Sequence, residues 1–448
     1  MTAAIQAWTI RALTVAFVMA VNASCTVVGP DYVRPRVDVP PAYKEAAPGG
    51  KPPQPRGASA QGRWWEIYGD SRLDALVGQV EAANPSIHAA EARVRQAQSL
   101  AEAARAAQSP TLTAGGTNDL GLLANWEIDL WGRIRRSVES SDAAAQASAA
   151  DLAAAKLSLQ AQLVQSYFLL RVQDAEIRLL QNTVAAYEKS LQLTRNQYAV
   201  AVAARAEVVQ AQAQLSAAQA LIPDARVARA QLEHAIAVLI GKAPADFSVA
   251  VAPIDVNVPE VPPALPSDLL ERRPDIAAAE RRMAAASAQI GVAEAASYPS
   301  VSLFAGASIR HSVGGAKVVV PVFDAGATRA QSARAGAAYD EAFADYRQTV
   351  LNGLREVEDN LAALQLLDEA AAAQAKAVRA ARESVIITNN RYRAGVVNYL
   401  SLVVVQAAAL ASERAALGTL RRRLVANVTL IKALGGGWEA EAPKAAKD

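Results

Sequence analysis

Leu163, Leu170, Ile177, Val184, Leu191 and Tyr198 stand seven residues apart, and so do Val357, Leu364, Ala371, Val378, Val385 and Tyr392. A strict seven-residue apolar period keeps one seam turned toward a partner only if the helix supercoils to the left. Each seam lies in a proline-free run, Arg133–Ala199 and Thr328–Ala394. Each run predicts one helix of about 65 residues, on the order of 100 Å long. Such lengths belong to coiled coils or helical tubes. Leu180 and Tyr187 add a second seam position in the first run, where the second run has mostly alanine and polar residues. The two helices are therefore expected to have unlike partners.

A period of two replaces the period of seven in two places. Val301, Leu303, Ala305, Ala307 and Ile309 alternate with Ser302, Phe304, Gly306, Ser308 and Arg310, and a turn is expected at Ser312–Gly315 before Lys317–Phe323 returns. Thr111–Thr117 and Leu122–Leu130 form a second candidate hairpin across Asn118-Asp119, with Leu122, Ala124, Trp126, Ile128 and Leu130 on one face. Four strands of roughly 7 to 10 residues are too few to close a barrel and are marginal for crossing hydrocarbon. Open strand edges in a bilayer have to be completed by further copies. Two copies would enclose a lumen filled by side chains, and three would leave a passage. The alternation does not choose between them.

These elements occur twice. Gly132, Tyr198 and Gly241 recur as Gly326, Tyr392 and Gly435, each 194 residues later, and Pro85 and Pro110 recur as Pro274 and Pro299, each 189 later. The register slips within the first hairpin, where loops tolerate a length change. Prolines divide the rest. Residues 1–24 read as an export signal with Arg11 as its only charge, and 25–63 as an extended proline-rich arm. Residues 64–243 form the first helix-hairpin-helix repeat, 244–274 a proline-rich linker, 275–437 the second repeat and 438–448 a tail. The fold class is mainly α with short β-hairpins, built from a duplicated long-helix unit.

Composition agrees with close helix packing through small residues: 52% of the 448 residues are hydrophobic, yet only 5% are aromatic. Lys+Arg of 45 against Asp+Glu of 43 are interspersed, which points away from a nucleic-acid partner. The densest basic run, Arg421-Arg422-Arg423, spreads around a helix as a solvated face. His88, His234 and His311 are far apart and there is one cysteine, so no His/Cys metal spacing exists and no enzyme or cofactor is expected. Gly435-Gly436-Gly437 ends a helix and lacks the Lys/Thr pair of a phosphate loop. The lone Cys25 follows Ala23-Ser24 at the end of the export signal, and that position predicts a covalent lipid on its thiol.

Several motifs now fall in order along the chain. They are Cys25-Thr-Val-Val-Gly-Pro-Asp-Tyr-Val-Arg-Pro35, Trp64-Trp65, Gly69-Asp70, Leu73-Asp74-Ala75-Leu76, Asn84-Pro85, Trp126-Glu-Ile-Asp-Leu-Trp-Gly-Arg133, Arg272-Arg273-Pro274-Asp275-Ile276, Tyr298-Pro299, Pro321-Val-Phe-Asp324 and Arg391-Tyr392-Arg393-Ala394-Gly395-Val396. Together they resemble the outer-membrane efflux lipoproteins of the TolC/OprM type, NodT subgroup, over nearly the whole chain. The hairpins are shorter than is usual there, with Trp126 standing 16 positions after Pro110 and Pro321 standing 22 after Pro299.

The resemblance implies a homotrimer with a twelve-stranded barrel in outer-membrane lipid and a periplasmic tube of twelve helices. It would be closed at its tip until a periplasmic adaptor and an inner-membrane RND-type transporter dock. The outer channel of a type I protein secretion system shares that fold. A periplasmic adaptor or coiled-coil scaffold lipoprotein would instead have a single helical hairpin. The resemblance places adaptor docking at Ala201-Val202 and Gly395-Val396, with Ala201 where glycine is usual. It places a helix-linking carboxylate and tyrosine at Glu207 and Tyr392. The usual gate arginine is replaced by Val397, and the usual constricting carboxylates by Ser401 and Val404, so an apolar constriction is expected.

Overall fold

A computed structural model describes residues 27–45, 62–115, 121–254, 258–261, 265–308 and 312–438. Cys25, the export signal, the Asn118-Asp119 turn, His311 and most of the C-terminal tail lie outside the described residues. The first repeat runs α1 (Ser71–Ala83), α2 (Pro85–Ala106), β1 (Thr111–Gly115), β2 (Gly121–Ile128), α3 (Arg133–Ala199) and α4 (Arg205–Leu239). The second runs α5 (Leu269–Arg272), α6 (Pro274–Ala295), β3 (Ser300–Ser308), β4 (Ser312–Val319), α7 (Ala327–Arg393) and α8 (Tyr399–Ala433). Corresponding helices match in length: α2 and α6 have 22 residues each, α3 and α7 have 67, and α4 and α8 have 35. The chain thus builds two long helical hairpins, not the single one of an adaptor scaffold.

Breakers and caps set these limits. Pro85 and Pro274 open α2 and α6, where a missing N–H costs nothing. An aspartate starts each long helix: Asp129 accepts from the N–H groups of Ile134 and Arg135, and Asp324 from those of Gly326 and Thr328. Three hydrogen bonds, from the Thr328 hydroxyl and these two backbone groups, hold the Asp324 carboxyl down to about 2. The α4 and α8 helices end at glycines in matching close approaches. A Cβ on Gly241 would lie 2.1 Å from the Ala83 carbonyl oxygen, and one on Gly435 would lie 2.0 Å from that of Arg272.

The four strands form one antiparallel sheet in the order β1-β2-β3-β4, leaving β1 and β4 as open edges. Its register aligns the alternation of every strand. Leu112 faces Ala124, Trp126 faces Leu303, Ile128 faces Val301, and Val301 faces Val318. One face is consequently apolar almost throughout, while the other mixes Thr111, Thr113, Asn125, Glu127, Ser302 and Lys317 with Leu123, Phe304, Val313 and Val319. The expected turn at Ser312–Gly315 is wrong. Those residues lie inside β4, and the chain reverses between Ser308 and Ser312. Gly315 sits opposite Phe304, and a Cβ there would stand 3.1 Å from the ring, so the glycine makes room for an aromatic within the ladder.

The core divides into three apolar clusters along the helices. The largest joins Trp64, Leu73, Val77 and Ile87 to Leu163, Phe168 and Leu170 of α3, with Ile236, Val428 and Ile431. The second joins Ile276 and Met283 of α6 to Tyr346, Val350 and Val357 of α7 and is covered by the N-terminal arm. Tyr32 donates to Glu280 at 2.5 Å, Arg136 holds the Val28 and Gly29 carbonyls, and Glu358 accepts from the Lys44 and Glu45 N–H groups. The inter-repeat linker is clamped in the same manner. Asp174, fully buried, receives Arg171 at 3.1 Å and Arg229 at 2.6 Å, and these arginines also hold the Ala250 and Val249 carbonyls.

The unequal seams expected from the heptads are present. Leu163, Leu170, Leu180, Tyr187 and Leu191 are buried in α3 and Ile177 and Val184 half-buried, whereas in α7 only Val357 is buried and Leu364, Ala371, Val378 and Val385 are half-buried. The last seam position divides in a way the repeat did not anticipate: Tyr392 is 2% exposed and Tyr198 48%. Tyr392 lies under α3 and Tyr399, while Tyr198 is left half uncovered by its own chain. Of the basic run, Arg421 and Arg422 are exposed and Arg423 pairs with Asp368 of α7. Among the described residues α8 alone is long and apolar enough to cross a membrane by length and composition, yet it forms one arm of the second hairpin.

Candidate functional site

Both long hairpins turn at the same end of the molecule, and the third apolar cluster joins them there. The two turns are built alike. Gln197 O accepts from Val202 N at 2.8 Å, and Arg391 O accepts from Val396 N at 2.9 Å, each closing the last helical turn around a left-handed residue. That residue is Gly395 at φ +72° in the second turn and Ala201 at φ +59° in the first. The usual glycine geometry is thus kept by an alanine, at a cost of about 1 kcal/mol. Ala201, Val202, Gly395 and Val396 are all exposed on the end surface.

Behind the turns the hairpins are tied together by hydroxyl groups. Thr194 of α3 and Tyr392 of α7 are buried, and their oxygens are 2.8 Å apart. Thr194 Oγ1 donates its only proton to the Ser190 carbonyl at 2.9 Å, so the tyrosine is the donor between them. Gln406 of α8 reaches Ser190 Oγ at 3.2 Å, and Tyr399 packs edge-on against Tyr392 with ring centroids 5.6 Å apart. Burial, then the neighbouring Tyr392 and Tyr187, push the Tyr399 phenol up to about 12. Among the described residues the Tyr399 hydroxyl and Gln406 Oε1 are buried without hydrogen-bond partners. This network therefore holds the two hairpins together with bonds left unmade, which costs free energy.

The pairing of Glu207 with Tyr392 expected from the resemblance is not made within the chain. Tyr392 donates to Thr194, and Glu207 Oε1 lies 3.5 Å from the Tyr399 backbone N–H, at the start of α8. The reason is register: Thr194, one turn before the end of α3, presents its oxygen to the phenol. Burial raises the Tyr392 phenol, the Thr194 hydrogen bond partly offsets that rise, and Glu207, facing it electrostatically, adds to it. Asn398 caps α8 by accepting from the Ser401 N–H at 3.2 Å and from its hydroxyl at 3.0 Å. Ser401 is thereby committed to the helix start. Val404, on the same face and 59% exposed, does not pack in its own chain's seam.

Sequence reasoning located the two turns, Tyr392 and the α8 face but passed over Thr194, Ser190, Gln406 and Tyr399. A signal existed: Tyr187, Ser190 and Thr194 place polar atoms at helical spacing on an otherwise apolar seam. Among the described residues no group of His, Cys, Asp and Glu could hold a metal ion.

Residues 76–242 and 265–436, one stretch in each repeat, match the family model described as outer membrane efflux protein. The chain is similar to the pyoverdine export outer membrane protein OpmQ of Pseudomonas aeruginosa, 30% identical over 85% of this chain and 88% of that protein. It is 28% identical to the probable efflux pump outer membrane protein TtgC of Pseudomonas putida, over 95% of both. Among solved structures, the outer-membrane channel OprN superposes with a TM-score of 0.85 at 31% identity, covering 92% of this chain and 99% of that one.

Proposed function

The chain belongs to the outer membrane efflux protein family, and from that premise we propose that three copies close a twelve-stranded barrel continued by a twelve-helix periplasmic tube. Its role as an outer-membrane efflux channel carries no chemical step. Solutes delivered from an inner-membrane RND-type transporter through a periplasmic adaptor would pass down their gradient. The observation that carries the reading is the sheet. Four strands present an uncovered apolar face, with Leu112, Leu122 and Val318 each more than half exposed, beside a mixed face that carries the sheet's charged residues Glu127 and Lys317, and two open edges. Such a sheet suits lipid on one side and water on the other once β1 of one copy pairs with β4 of the next. Twelve strands leave an aqueous passage where eight would be filled by side chains.

The tube would close at the paired turns. The Thr194–Tyr392 latch would hold the two hairpins of each chain, and Val404 with Leu400 would line a constriction that resists wetting. Ala201-Val202 and Gly395-Val396 would receive the adaptor, and Cys25 would carry the lipid that anchors the arm. Native mass spectrometry and planar-bilayer conductance test these points on one preparation. The expected results are a trimer mass with an acyl addition lost in Cys25→Ser, and channels of low open probability. A dimeric or monomeric mass, or silent bilayers, would overturn the reading.

A further inference from the structure

We infer that the mixed face of the sheet holds a binding site for small aromatic anions, made by Leu123, Phe304 and Val313 together with the ammonium of Lys317. This rests on the channel reading above, which turns that face toward the lumen, and it names a class of solute that would pause there. Three successive rungs of the ladder build the site. Leu123, Gly306 and Val313 stand opposite one another in the first, Asn125, Phe304 and Gly315 in the second, and Glu127, Ser302 and Lys317 in the third. Glycines in the first two rungs let the larger side chains spread sideways. A Cβ on Gly306 would lie 3.3 Å from Val313 Cγ2 and 3.4 Å from Leu123 Cδ1, so those two side chains close over the glycine from either side. The tip of the Phe304 ring reaches across Gly315 in the same way, 3.1 Å from where a Cβ would stand. The result is an apolar ledge on the water-facing side of the sheet.

Packing does not account for the ledge. Leu123 is 46% exposed, Phe304 37% and Val313 61%, on the side opposite the one that suits lipid. An exposed apolar patch rimmed by polar groups marks a place where something binds. Its rim carries a net positive charge. Glu127 and Lys317 are the charged residues of the described strands. Arg133 neutralises Glu127, donating to both carboxylate oxygens at 2.7 Å, whereas Lys317 is exposed and its ammonium has no partner among the described residues. Thr111 and Thr113 turn their hydroxyls back to the Asn125 and Leu123 carbonyls, so they do not compete for a ligand. Neighbouring rungs are about 7 Å apart, the interval between the centre of a fused ring and a carboxylate at its edge. A flat aromatic acid can therefore lay its ring on the ledge with its anion at Lys317. Mostly apolar walls with one fixed charge are the make-up of a small-molecule site. A neutral aromatic gains only the ledge, and an anion without a ring gains only the ammonium.

The test is saturation-transfer NMR on the full-length protein in nanodiscs, with empty nanodiscs as the reference and 2-naphthoate, 2-naphthylmethanol and acetate as probes. At about 50 mM NaCl 2-naphthoate should bind about threefold more tightly than the uncharged alcohol, the advantage of one exposed ion pair, and lose that advantage near about 500 mM. Acetate should give no signal above the reference. Phe304→Ala should weaken both aromatic probes about fivefold. Lys317→Gln should bring 2-naphthoate down to the level of the alcohol without changing the alcohol itself, and Lys317→Glu should turn the preference toward the 2-naphthylmethylammonium cation. Signals no larger than those of empty nanodiscs overturn the proposal. So does equal binding of 2-naphthoate and the alcohol by the parent, or undiminished binding by Phe304→Ala. These comparisons decide the site by themselves, whereas failure of the channel reading appears as absence of conductance when the same parent protein is placed in planar bilayers.

Discussion

Thr194→Val separates the latch observed in the structure from the one suggested by family resemblance. In the parent, the buried Tyr392 hydroxyl donates to Thr194 Oγ1 at 2.8 Å, and Thr194 donates onward to the Ser190 carbonyl. Valine keeps the shape but removes the acceptor, leaving a phenolic O–H at a site 2% exposed. Such a group costs about 1–3 kcal/mol, which favours separation of the hairpins by about 5- to 150-fold per chain. Tyr392→Phe should cost less, because Thr194 retains its bond to Ser190. The double variant should fall below the sum of the singles, since no buried hydroxyl is then orphaned. Glu207→Gln, which leaves the Thr194–Tyr392 bond untouched, should change little. Single-channel recording gives the open probability, and the apparent melting temperature of the same variants gives an independent stability reading. An open Glu207→Gln channel beside a closed Thr194→Val channel would refute the reasoning.

Gly435→Ala should cost more than about 2 kcal/mol because its Cβ meets the Arg272 carbonyl at 2.0 Å at positive φ. Gly395→Ala, with open space around it, should cost about 1 kcal/mol, and equal melting temperatures for the two would contradict this. Asp174→Ala strands Arg171 and Arg229 without their shared anion and should destabilise by about 3–5 kcal/mol. It should also expose the linker near Val249 to protease, and an unchanged digestion pattern would count against the clamp. The Asp324 carboxyl, about 2 when folded against 3.8 ordinarily, contributes stability that is complete above about pH 4 and fades as pH falls toward 2. Asp324→Asn should flatten that part of the acid melting profile, and a profile identical to the parent's would show that the cap contributes nothing there.

How far the chain could be read depended on the range of each signal. The limits of α3 and α7 agree with the proline-free runs to within a residue, because proline, glycine and the heptad period act within a few residues of where they stand. The strands were visible through their alternation, but the second turn was misplaced. Gly314-Gly315 looks like a reversal locally, and it is in fact the stretch of β4 that accommodates Phe304. The paired turns that follow α3 and α7 were legible as helix ends. The latch was not, because Glu207 and Thr194 are equally plausible partners for Tyr392 until α3 and α7 are set against each other.

The sequence by itself determined the duplicated unit, the helix lengths, the alternation of the strands and the places where the long helices reverse. All of these follow from periodicity and backbone restriction along contiguous residues. Only the tertiary structure decided that Tyr392 is buried while its repeat mate Tyr198 is exposed, that Tyr392 meets Thr194, and that Asp174 ties the linker down through two arginines. Those outcomes join segments tens to nearly two hundred residues apart. A hydrogen bond is gained or lost over a few tenths of an ångström, a tolerance set by how whole helices pack rather than by any local pattern.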